Sequence, residues 1–175
     1  MFEKTYIFQG KHAKYVKNLS DNTLFNRNLD VLLVSPIIGF LNGKKSKLDK
    51  GNDVTKINAE QIISDSEMIE FIFQLITVQD INTFPDEEDR FNRAFRYKNG
   101  EKYEEAIDNF NSYIRGGVEY LHNKIFDSDK KVITYDQEDI LNNMFEFVKQ
   151  YNEDINFNGE ENNIESIINK IEKDQ

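Results

Sequence analysis

The most constraining feature of this chain is the stretch Leu29–Leu41, LDVLLVSPIIGFL, which is apolar on nearly every side. A segment with no polar face has to be buried all round, as a core helix or a core strand. Pro36 lies in its middle. A proline cannot donate to a strand ladder, so a central strand is disfavoured. The reading is a buried helix, kinked or restarted at Pro36. Gly43 then serves as its C-terminal stop, and the segment 44–58, KKSKLDKGNDVTKIN, reads as a polar, mobile loop.

Helical periodicity recurs along the rest of the chain. Residues 10–19 form a short helix carrying Tyr15, Val16 and Leu19. Ala59–Val78 reads as one long helix with Ile62, Ile63, Ile69, Ile72, Phe73, Leu75 and Ile76, capped by Asn58. Pro85 closes a turn, and Asp86–Asp89 puts acids in the first turn of a new helix, where the helix dipole favours them. Phe91 and Phe95, four apart, share a face of it. After the Asn99-Gly100 turn, Tyr103–Ile125 is amphipathic. Gly116-Gly117 inside it marks a kink, a close helix crossing or a break, since each glycine costs about 1 kcal/mol relative to alanine. Residues 131–135 are a short strand or an extended connector. Asp136 caps a helix to about Tyr151, and a last short helix covers Asn163–Lys173. The fold class expected is all-α: five to seven helices in one bundle-like domain over residues 1–175, with at most one short strand or hairpin.

Charge is divided along the chain. Residues 1–56 hold 10 Lys and Arg against 5 Asp and Glu, whereas residues 57–175 hold 12 against 27. A basic end suits an acidic partner such as nucleic acid, while the acidic remainder repels a phosphate backbone. Both are also what ordinary solvated faces look like. With no cysteine, disulfide scaffolds, thiolate zinc sites and cysteine nucleophiles are excluded. The start of the chain lacks the layout of a signal peptide, and Leu29–Leu41 is too short for a bilayer, which takes about 20 residues. A cytoplasmic location away from membranes is expected.

Lys44, Lys45 and Lys47 follow Gly43 at the end of the apolar helix, where cations favour the dipole. They are also candidate phosphate or nucleic-acid contacts, although the spacing is not that of a P-loop. Arg93 and Arg96 are candidates for the same role. Arg90 and Arg93 stand four residues after Asp86 and Asp89, so local ion pairs account for them equally well. The stretch Asn28–Leu33 through Ile38-Gly39-Phe40, with Gly43-Lys44-Lys45, resembles a pattern in small accessory proteins of bacterial DNA-phosphorothioation (Dnd-type) defence systems. Those proteins pair an apolar, D-V-containing helix with a G-[FY]-x-x-G-[RK]-[RK] turn. The match covers about a tenth of the chain and has Lys where Arg is usual. It implies membership of a multi-protein defence system and says nothing about catalysis.

Asp154, Asn156, Asn158, Glu160 and Glu165, with Gly159, fit the calcium-loop pattern D-x-[DN]-x-[DN]-G-x₅-E. Glu161 stands where that loop carries an aliphatic residue, and the same residues suit a plain helix–loop–helix turn. Only two direct carboxylate ligands predict a Kd of about 10⁻⁴ M or weaker. Pro85-Asp86 and Asp129-Lys130-Lys131 echo a metal-nuclease set, without the strands that chemistry needs. His12 and His122 have no partner at metal-ligand spacing, and no G-x-S-x-G elbow occurs. Calcium is the single cofactor candidate. The function expected is a non-enzymatic interaction or accessory subunit whose partner is another protein of the same system. The alternatives are a nucleic-acid-binding protein using the basic N-terminal patch, and an acidic inhibitor or immunity protein blocking a basic site.

Overall fold

In the computed structural model, residues 4–22, 25–126 and 136–159 are described. They form α1 (Gly10–Asn22), α2 (Asn28–Leu41), α3 (Ala59–Ser64), α4 (Ser66–Gln79), α5 (Glu87–Phe91), α6 (Glu101–Phe126) and α7 (Gln137–Gly159). A π-helical turn, Asn92–Arg96, continues α5. Two short strands, β1 (Tyr6–Gln9) and β2 (Val54–Ile57), pair antiparallel with Tyr6 opposite Ile57. The protein is thus mostly helical with one small sheet. Its contacts divide it into two compact units, Met1–Asn123 and Lys124–Gln175.

The first unit is built around α2. Leu29, Val31, Leu32 and Ile38 are buried, and the helix runs unbroken through Pro36. It neither restarts nor stops there. Its C-terminus is a Schellman motif: Gly43 has φ +59°, its amide donates to Phe40 O (3.0 Å), and the Lys44 amide donates to Gly39 O (2.7 Å). Gly116-Gly117 proves to be a close crossing, since α6 continues through it. A Cβ on Gly117 would strike the backbone carbonyl of Ser35, and one on Gly39 would strike that of Tyr113. A Cβ on Gly116 would strike the carbonyl of Lys44. Two helices and the chain leaving α2 therefore meet backbone to backbone.

The segment 44–58, read from sequence as a polar, mobile loop, is instead fixed: residues 44–53 by that contact and Val54–Ile57 as β2. Ser46 N donates to Ser112 O (3.0 Å) and Arg115 Nε to Ser46 O (2.9 Å). Asp49 then accepts from the amides of Lys11 (2.7 Å) and Gly51 (3.0 Å), and Gly10 N donates to Asp53 O (2.9 Å). The segment is an extended strap leading into β2, where Thr55 Oγ1 donates to Ala13 O (2.9 Å).

The long helix expected over 59–78 breaks at Asp65, whose backbone (φ −110°, ψ 15°) leaves the helical region. Ser64, Asp65 and Ser66 offer competing side-chain bonds: Ser64 Oγ donates to Asp65 Oδ2 and Ser66 Oγ to Ile63 O, both at 2.8 Å. Asn58 precedes α3 as expected, and its amide donates back to Gln61 Oε1 (3.4 Å). Asp86 caps α5 by accepting from Asp89 N (2.6 Å).

In the second unit Asp136 caps α7, accepting from Glu138 N at 2.9 Å. Ile125, Phe126, Ile140 and Met144 are buried, whereas Leu141, Phe145 and Val148 are exposed. The helix passes the expected end near Tyr151 and runs to Gly159. The strand or connector expected at 131–135 and the helix expected at 163–173 lie outside the described residues.

Gly117→Ala is expected to cost about 3 kcal/mol, the upper end of overpacking, because the obstacle is a backbone carbonyl that cannot turn aside. Urea unfolding of Gly117→Ala beside Gly43→Ala, which should lose only about 1 kcal/mol for its left-handed φ, checks the crossing.

Candidate functional site

Most of the chain's conspicuous polar residues are consumed in holding unit 1 together. Asp80, which caps the end of α4, is 1% exposed. Its carboxylate accepts from Thr83 N (3.1 Å), Thr83 Oγ1 (2.7 Å), Asn109 Nδ2 (2.9 Å) and the Tyr113 hydroxyl (2.9 Å). Lys45 Nζ stands 3.6 Å from Asp80 Oδ2, donates to Thr83 Oγ1 (2.6 Å), and lies 4.5 Å from the centre of the Tyr113 ring. Burial pushes the Asp80 carboxyl up, but these donors outweigh it and hold it below the usual carboxylate range. Burial and the neighbouring Asp80 charge raise the Tyr113 hydroxyl.

A second cluster joins α1 to α6. Glu119 Oε1 accepts from Lys11 Nζ (2.9 Å) and from the Ser46 hydroxyl, and lies 2.8 Å from His12 Nε2. Burial lowers the His12 imidazole despite Glu119. His122 sits four residues before Phe126 on α6, stacked on Tyr15 with centroids 3.9 Å apart and with Nε2 3.2 Å from Asn18 Nδ2. Burial brings its pKa down to about 4. Both histidines are thus core residues. Ser46 bonds to the acid rather than to His12, so this is no nucleophile–base–acid relay.

The arginines of α5 and the π turn divide by role. Arg90 spans three carbonyls, Val78, Phe84 and Pro85, each at 2.8 Å, rather than pairing with Asp86. Arg93 is 6% exposed and bridges Asp89 (2.6 Å) and Glu105 (2.8 Å), with its guanidinium 4.3 Å from the centre of the Phe84 ring. Arg96 donates to Asn92 Oδ1 (2.9 Å) and lies over the Phe91 ring. Of the five basic residues singled out in the sequence, Lys45 and Arg93 are committed internally, and Arg96 is partly so. Lys44 and Lys47 are exposed and make no ion pair among the described residues. The structure does not bring the five into one patch of free charge.

The calcium candidates fare differently. Asp154, Asn156 and Asn158 lie on helical backbone within α7, unlike the loop the pattern calls for. Glu160 and Glu165 lie outside the described residues. Asp86 of the nuclease echo serves as a helix cap, and its partners at 129–131 also lie outside. Among the described residues no group of three or more His, Asp or Glu is placed to hold a metal ion, and no helix is long and apolar enough to cross a membrane.

What the sequence reading passed over is an exposed apolar face. On α4, Met68, Phe71 and Leu75 are 52%, 59% and 45% exposed while Ile69, Ile72, Phe73 and Ile76 are buried. On the adjoining α5 and π turn, Phe91 and Phe95 are also exposed, their rings 4.8 Å apart. Arg90 bonding Val78 and Lys98 bonding Glu70 (3.0 Å) hold these helices alongside α4. The signal was available: α4 is apolar over more of its circumference than one buried face requires. No protein-family model, curated protein or solved structure matches this chain.

A histidine whose pKa falls from 6.5 to about 4 on folding stays neutral in the native state and protonates first in the unfolded one. Stability is therefore full above pH 6.5 and is lost as pH falls towards 4, by about 3 kcal/mol for His122. The carboxyls of Asp80 and Glu119, held low in the native state, contribute their own loss only below the ordinary carboxylate range. Urea unfolding between pH 6.5 and 4.5 should show the first slope in the wild type and a flatter one in His122→Gln.

Proposed function

We propose that this protein is a non-enzymatic interaction subunit, one that works by binding another protein of the same multi-protein system. The observation that carries this reading is the aromatic face of α4, α5 and the π turn. Exposed Phe and Met beside Arg is the composition that interface cores favour over the general surface. An apolar surface of this kind on a highly charged chain calls for a partner. The reading as a non-enzyme is supported by where the reactive side chains lie: Asp80, Glu119, His12 and Arg93 each serve internal bonds. The bacterial defence setting rests on the short resemblance around Gly39–Lys45. A cytoplasmic location belongs to the same proposal, supported by the lack of a helix long and apolar enough to cross a membrane among the described residues.

Nucleic-acid binding through the basic residues receives less support, because Arg93 and Lys45 are already neutralised by Asp89, Glu105 and Asp80. What remains of the five, Lys44, Lys47 and the exposed Arg96, is a small electrostatic footprint.

The test is purification of the endogenously tagged protein from its own host under mild crosslinking and nuclease treatment. A partner of fixed stoichiometry is expected, lost in a Phe71→Ser/Leu75→Ser variant whose melting temperature is unchanged. Recovery of the protein alone, or of nucleic acid alone, overturns the reading.

A further inference from the structure

Resting on the reading just given, we infer that the α4 face takes a basic amphipathic helix from the partner protein. The spacing comes first. Met68, Phe71 and Leu75 recur at three and four residues, a ridge about 10 Å long at a rise of about 1.5 Å per residue. Phe91 and Phe95 form a second ridge on the adjoining helix. Two ridges on packed helices suit an apolar helical stripe bearing anchors at i, i+3, i+4 and i+7.

Charge decides the rest. Residues 59–98 contain nine Asp and Glu against four Lys and Arg. Three of the four cations are taken up, Arg90 and Arg93 being buried and Lys98 paired with Glu70. This leaves Arg96, exposed over Phe91, as the one positive charge on the face among the described residues. By contrast Glu60, Glu67, Glu87 and Glu88 are exposed and make no ion pair among the described residues. The apolar ridges are therefore set in a negative field. A helix with lysine or arginine flanking its apolar stripe is attracted and oriented by that field, and an acidic helix is repelled.

A second copy of this chain is a poorer occupant. Its own basic helix, α1, carries Lys11, Lys14 and Lys17, but the apolar residues beside them, Val16 and Leu19, are fully buried. α1 therefore has no apolar stripe to offer. α7, which leaves Leu141, Phe145 and Val148 exposed, carries Glu138, Asp139 and Glu146 against Lys149, so the same field repels it.

The experiment uses the full-length chain and three fluorescein-labelled 18-residue peptides read by anisotropy. One is a Leu/Lys helix with Leu at i, i+3, i+4 and i+7, one a Leu/Glu helix of the same pattern, and one a Leu/Lys peptide of scrambled order. The amphipathic Leu/Lys helix is expected to bind at least tenfold tighter than either control. Phe71→Ser/Leu75→Ser should weaken it at least tenfold. Glu67→Gln/Glu87→Gln/Glu88→Gln should weaken it severalfold at low salt and little at high salt. Equal binding of the Leu/Glu helix, or binding untouched by the Phe71/Leu75 variant, overturns the inference. So does sedimentation showing a dimer that this variant dissolves. If the native complex is recovered and depends on Phe71 and Leu75 while the Leu/Lys helix is not preferred, the interaction reading stands and the basic-helix partner falls. If no complex is recovered but the peptide binds as expected, the inference stands and the multi-protein reading falls.

Discussion

Where α2 and α6 cross, no side chain separates them. Gly39 and Gly117 bring the backbones together, and Gly116 lets the chain leaving α2 lie directly on α6. Such proximity is available only to glycine, and several other features of unit 1 depend on it. It sets the height at which Lys45 reaches Asp80, and it places Ser46 where its amide, carbonyl and hydroxyl all find partners. It also starts the strap that carries the chain across to β2. Four residues of the glycine–lysine motif around Gly39–Lys45 thus have structural roles. Gly39 permits the crossing, Phe40 packs edge-on against Tyr113, Gly43 ends the helix, and Lys45 pairs with Asp80.

The buried charges follow a common rule. Asp80, Arg90 and Arg93 are each saturated by several donors or acceptors, which is the condition under which a charge tolerates burial. They tie segments that are distant in sequence: Asp80 on α4 to Lys45 on the strap and to Asn109 and Tyr113 on α6. A charged chain with a modest apolar content can in this way define a specific arrangement of short helices. The consequence for function is that much of its polar chemistry is spent inwards, while aromatic surface is left outwards.

The legible parts of the fold were those written in local pattern. The all-round apolar character of Leu29–Leu41 located the central helix, and the spacing of Ala106, Phe110 and Ile114 located α6. The Asp86 and Asp136 caps were equally plain. What escaped was decided by distant partners. β1 is four residues long, and its pairing with Val54–Ile57 depends on a segment more than forty residues away. The cluster Tyr6-Ile7-Phe8 had the aromatic and β-branched character of a strand, but nothing local named its partner. The break at Asp65 was hidden because the isoleucine pattern continues across it, and the extension of α7 to Gly159 because the residues from Asn152 favour turns. Among the site candidates, sequence could pair Arg93 with Asp89 four residues away. It could not see that Lys45 meets Asp80, or that Phe71 faces outwards while Phe73 faces in.

The π turn at Asn92–Arg96 decides where the side chains on either side of it point. Its closing bond, Tyr97 N to Asn92 O at 2.8 Å, spans five residues, one more than an α-helical turn holds. The surplus residue widens the helix there without opening a loop. Removing one residue there would tighten the turn to an ordinary α-helix and rotate everything after it by about 100°. Arg93 bonds both ways across the turn, to Asp89 before it and to Glu105 on α6 after it, so that rotation would carry Phe95 and Arg96 to another side and pull Glu105 against its ion pair. The extra residue is therefore what lets Phe91 and Phe95 stand side by side at the surface while α6, further along the chain, keeps its buried register.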